Sequence, residues 1–168
     1  MVIYVSKKNI FMIIFLFLLS FLWHFMYDWF PCVLTSIFFP VNESIWEHMK
    51  IIFYVLLIGS ILEKKNNNYY LCLMVKPLVG VLFYLILFIP LYLIFGESMI
   101  LSLSLMLFTY IIMELLGIKI SKQEELNIKV LPIIIVILCI TLFSMLTYYP
   151  LHNFLFFDSV KLGYGILK

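Results

Sequence analysis

Arginine is absent from this chain of 168 residues, and all 11 of its basic residues are lysine. That counts against a specific reader of phosphate or nucleic acid, because such sites favour the planar, two-pronged guanidinium. Charge of either sign is scarce, at 12% of residues, about half the share found in soluble domains. The three cysteines, Cys32, Cys72 and Cys139, form no CxxC pair, so neither a redox motif nor a cysteine zinc site is indicated. No HExxH and no GxSxG occurs, which removes the common zinc-protease helix and the serine-hydrolase elbow. Internal repeats and low-complexity linkers are lacking too.

What the sequence has in excess is apolar length. Hydrophobic residues make up 65% of it, and a membrane crossing needs roughly 20 such residues in a row. Five runs qualify, at about residues 9–27, 44–62, 69–95, 98–116 and 130–149. The expected fold is all-α, a single polytopic membrane domain covering residues 1–168. Lys7 and Lys8 before the first run resemble a signal-peptide start. No small-residue cleavage site follows, so the run reads as a retained first span. Between the first two spans, Val33 to Phe39 is too short to cross and should lie at the interface or re-enter. Pro77, Gly80 and Pro90 give the long third span places to kink. An aromatic tail, residues 150–168, follows Pro150.

This topology puts Lys7, Lys8, Lys64, Lys65, Lys119, Lys122 and Lys129 on one side, with Lys76 snorkelling towards it. Lys50, Lys161 and Lys168 fall on the other side. The positive-inside rule then places the N-terminus in the cytoplasm and the tail outside, in a multi-pass membrane protein. The bilayer is the expected partner, with no nucleic acid.

All three histidines, His24, His48 and His152, fall on the outer face, together with Asp28, Glu43, Glu47, Glu97 and Asp158. On a helix, Glu43, Glu47 and Lys50 would share one face, with His48 turned away from it. His24 and Asp28 are four apart and can meet, and a carboxylate beside an imidazole fixes its tautomer. Histidine with carboxylate ligation suits a catalytic divalent metal such as zinc. His24, His48 and His152 are therefore the candidate metal ligands, and Glu43, Glu47 and Asp28 the candidate acid–base residues. A structural reading competes: Ser44-Ile-Trp-Glu47 is a capping box, and Trp23, Trp29 and Trp46 suit interfacial anchors. Asp158 reads as a solvated tail carboxylate, and Glu114, one turn inside the fourth span, can pair with Lys119 or Lys76.

The run Pro40 to Lys50, PVNESIWEHMK, resembles a family of small uncharacterised bacterial membrane proteins. WHFMYDW (Trp23 to Trp29) and His152…Asp158…Gly163-Tyr164-Gly165-Ile166 extend that resemblance over nearly the whole chain. Ser159 follows the aspartate where the pattern has proline. The resemblance implies the span architecture, a place in a bacterial cytoplasmic membrane and that these motifs belong together, with no assigned activity. The function expected from the residues is a metal-dependent hydrolase or transferase with an outward site. A small transporter and a non-catalytic component presenting its outer face to a partner are the alternatives.

The lysine bias makes a direct prediction. In a Cys32→Ser background, a cysteine at Asn67 should resist an impermeant reagent added outside cells and react after permeabilisation. Labelling from outside would overturn the orientation.

Overall fold

The computed structural model describes residues 5–63, 67–96 and 98–166. Lys64, Lys65, Asn66, Glu97 and Lys168 lie outside the described residues. Among those described, six helices follow in order: α1 (Lys7–Trp29), α2 (Val33–Phe38), α3 (Ile45–Leu62), α4 (Tyr69–Phe95), α5 (Met99–Ser121) and α6 (Val130–Tyr148). A two-residue hairpin, β1 (Phe157–Asp158) with β2 (Gly163–Tyr164), closes the chain and pairs antiparallel. All helices but α2 are long and apolar enough to cross a membrane.

The central helix is α3. Every residue from Met49 to Leu56 is buried, as expected of a helix that is apolar all round and packed on all sides. It lies against α1 and α4, and α4 lies against α5 and α6. Small residues let the backbones approach: at Gly80 any Cβ would collide with Leu56 of α3. Both Pro77 and Pro90 lie within one unbroken α4. At about 1.5 Å per residue its 27 residues exceed the roughly 30 Å of hydrocarbon, so it must tilt or protrude.

The short helix α2 packs on this bundle, against α6 and α1. A helix ending within a membrane protein leaves backbone carbonyls that need donors, and the sequence supplies one for each. Lys50 Nζ donates to Ser36 O at 2.8 Å and to Phe39 O at 3.3 Å. The Tyr54 hydroxyl donates to Ile37 O at 3.3 Å, and Trp23 Nε1 donates to Phe38 O at 2.9 Å. The third Lys50 proton goes to Glu47, at 2.7 Å. Lys50 is 0% exposed and Glu47 2%.

Several expectations change here. Ser44 does cap α3, accepting from Glu47 N at 3.3 Å. Glu47 does not fold back on Ser44, because its carboxylate is taken by Lys50, by Val41 N at 3.1 Å and by the Thr147 hydroxyl at 2.9 Å. The Ser44 N–H turns instead to Asn42 Oδ1, at 2.9 Å. Trp23 and Trp46 have partners within the fold beyond the anchoring the sequence suggested. Trp23 serves α2, and Trp46 stacks between Phe143 and Phe156; Trp29 alone is well exposed. Lys76 does not snorkel: it is buried, pairs with Glu114 at 2.8 Å and also contacts Glu63.

Breaking a buried ion pair from one side leaves the other charge stranded. Lys50→Met should therefore destabilise the protein by about 3–5 kcal/mol, read by thermal unfolding in detergent micelles. Lys50→Met combined with Glu47→Gln should recover part of that loss. A Lys50→Met protein as stable as the parent would refute the role given to this pair.

Candidate functional site

Helix α3 starts at Ile45, so Glu43 lies before its cap and outside the helical spacing that the sequence suggested. That difference decides the site. Glu43 does not join Glu47 and Lys50 on the inner face; it reaches His48 on another. His48 stands in the first turn and a half of α3, and His24 faces it from α1. His24 Nε2 and His48 Nε2 are 3.2 Å apart. Glu43 Oε2 is 3.4 Å from His48 Nε2 and 3.6 Å from His24 Nε2. Among the described residues, these three form the group of histidine, cysteine and carboxylate ligands close enough to share a metal ion.

The triangle has the size of a metal face. Two donors each about 2.0–2.1 Å from a tetrahedral zinc stand about 3.3–3.4 Å apart. The three measured edges bracket that value. The imidazole of His48 is also set for the task. Its Nδ1 lies 2.9 Å from the Ser44 carbonyl oxygen, which can only accept, so Nδ1 carries the proton. In the neutral ring, Nε2 then presents its lone pair to the triangle, the usual tuning of a ligating histidine by its second nitrogen. His24 Nδ1 is buried with no hydrogen-bond partner.

Glu43 is fixed from the far end of the chain. Its N–H donates to Asp158 Oδ2 at 3.1 Å. The other Asp158 oxygen accepts from Val160 N and Lys161 N, both at 2.8 Å. Asp158 is fully buried, so the expectation of a solvated tail carboxylate is wrong: it organises the β-hairpin and the Glu43 loop together. Asn42 Nδ2 donates to Gly165 O at 2.7 Å, and Trp46 N to Leu155 O at 2.8 Å. The tail thus satisfies one of the free N–H groups of the first turn of α3.

The other residues singled out in the sequence stand elsewhere. His152 is exposed and stacks on Tyr164, with ring centres 4.6 Å apart. Asp28 is exposed near the end of α1 and bonds to neither imidazole. Glu47 belongs to the buried pair with Lys50. Sequence reasoning missed the roles of Asn42 and Asp158, whose only signal was their place in the two runs that carried the family resemblance.

The triangle forms one end of a cavity of about 400 Å³ between α1, α3, α4 and α5, roofed by Phe154, Phe157 and Ser159 of the tail. A smaller cavity of about 250 Å³ lies at the opposite ends of the helices, beside Glu63 and Glu114. Between them the Ser20 and Tyr110 hydroxyls, 2.6 Å apart, tie α1 to α5, next to the fully buried Leu16.

Residues 2–166 match the model of a family of unknown function (DUF6512). No curated protein and no solved structure matches the chain.

The His24 imidazole beside Glu43 holds its carboxyl below the usual range; burial opposes this, and the charges of His48 and Lys161 add to it. A carboxyl held down by its folded surroundings contributes stability that is present above its unfolded value, about 4.3, and lost as pH falls through the lower folded value. Unfolding followed across the acid range should thus show a steeper loss below about pH 4.3 in the parent than in Glu43→Gln. Identical acid limbs would show that Glu43 is not engaged by the imidazoles.

Proposed function

Because the chain belongs to the DUF6512 family, whose function is unknown, its own residues must supply the reading, and we propose that it is a multi-pass membrane hydrolase dependent on a divalent metal such as zinc. The ligands in this reading are His24, Glu43 and His48. The observation that carries it is the triangle of three donor atoms with the edges of a zinc face, one of them an imidazole already held by a backbone carbonyl. Three protein ligands with a fourth position left open are the pattern of catalytic rather than structural zinc. The fourth position would open on the cavity that these side chains line.

A metal held there would supply a bound water with a pKa near 7, and so a nucleophile at neutral pH. The chain's own contribution is positional. Ser44 O orients His48, Asp158 fixes the Glu43 loop, and the tail covers the cavity. An acceptor other than water in the same place would make the enzyme a transferase. His152 and Asp28 stay outside the ligand set in this reading, and Glu47 acts through the fold. The lysine bias supports an extracytoplasmic position for the site, with the N-terminus cytoplasmic.

Metal analysis of the purified protein tests the reading. The parent should retain close to one zinc per chain after dialysis, as a single three-ligand site requires. His24→Ala, His48→Ala and Glu43→Ala should each lose it while keeping the parent's helical circular dichroism. His152→Ala should retain it. A parent that carries no zinc and takes up none would overturn the proposal.

A further inference from the structure

The cavity joined to the triangle is not built for a water-soluble substrate. Its polar end is His24, Glu43 and His48, near the ends of α1 and α3. Its body runs along the spans and is walled by Phe21, Ile52, Phe88, Leu103 and Met106. Of the hydroxyls that also reach it, Ser20 holds Tyr110, and Ser102 donates to the Ser98 carbonyl oxygen at 3.0 Å. Among the described residues, Tyr84, Tyr92 and Ser159 bring the remaining hydroxyls to a wall that is otherwise apolar, so the cavity offers a polar substrate few groups to bind. At about 400 Å³ the space falls in the range of small-molecule pockets, roughly 300–1,000 Å³. Two of its lining residues also face outward on the spans, Phe25 at 45% exposure and Met99 at 72%. In a bilayer both would touch lipid, which gives the cavity an edge on the hydrocarbon.

From this polarity we propose that the substrate is a membrane amphiphile with an ester-linked acyl chain. The carbonyl is presented to His24, Glu43 and His48 and the chain lies in the cavity beneath them. This rests on the metal reading of the site. In the reaction, water adds to the carbonyl carbon and the bond from that carbon to the alcohol oxygen breaks. One water proton passes to the departing alcohol, and the acyl chain leaves as a carboxylic acid. No oxidant or further reactant is consumed. A chain buried among apolar side chains gains affinity with each methylene removed from water, so chain length is the property that this site should measure.

The test uses the full chain in dodecyl maltoside micelles, loaded with cobalt(II), whose visible absorption changes when a ligand joins its coordination sphere. Two hydroxamates serve as probes, sharing one metal-binding head: acetohydroxamate, and decanohydroxamate with its longer chain. In the parent, decanohydroxamate should shift the spectrum at about 100-fold lower concentration than acetohydroxamate. Leu103→Phe and Met106→Phe, which fill the cavity, should each remove most of that advantage and leave acetohydroxamate binding unchanged. They also separate cavity binding from simple partition into the micelle, which neither substitution touches. Equal affinity for the two probes, or a chain-length advantage that survives both substitutions, would overturn the acyl-chain proposal and leave the metal site standing. Failure of the parent to bind cobalt would instead overturn the metal reading, and this proposal with it.

Discussion

A lysine and a glutamate with almost no exposure to solvent hold this fold together. Lys50 and Glu47 are one turn apart on the central helix, and each has polar partners beyond the other. The ammonium closes the end of α2 through two carbonyls, and the carboxylate gathers the Val41 N–H and the Thr147 hydroxyl of α6. An ion pair in an apolar interior gains little over apolar packing unless all its remaining donors and acceptors are engaged. Here they are, and the result is positional: a non-spanning helix, a loop and the last span are fixed around one point of α3.

The candidate site is the other face of the same short segment. Between Pro40 and Lys50, neighbouring residues divide between two tasks. Glu47 and Lys50 look inward and organise backbone, whereas Glu43 and His48 look into the cavity. His48 takes its orientation from Ser44 O, and Ser44 is set by the cap that starts the helix. The geometry of the donors thus follows from where α3 begins. A helix beginning one turn earlier would carry Glu43 round to the side of Glu47 and break up the triangle.

Much of the architecture was legible in the sequence because the bilayer imposes it. The five runs were found from apolar length alone, and α4 matches its expected bounds of 69–95. The short stretch after Pro31 was rightly judged unable to cross. The meeting of His24 and His48 near one end of the bundle also followed from span counting. The partners were not legible. Periodicity assumed a helix through Glu43 and so set it on one face with Glu47 and Lys50, although its expected place near the histidines holds for His24 and His48. The S-x-x-E spacing gave Glu47 a local partner when a lysine three residues on competed better. Asp158 and Asn42 act across more than a hundred residues of chain, and no local pattern reports a contact of that range. His152 was grouped with the others by depth, but depth says nothing about position around the bundle.

The bond from the Glu43 N–H to Asp158 and that from Asn42 to Gly165 join positions 115 and 123 residues apart. During synthesis, both imidazoles are in place on inserted helices long before the hairpin that steadies the third donor has emerged from the ribosome. Contacts of such separation form late, after the entropy of closing the intervening loop has been spent. The nascent bundle therefore passes through a stage in which both imidazoles are present and the triangle of donors is still incomplete. Whatever the three donors hold, they can hold it as a set only once the last residues of the tail have packed.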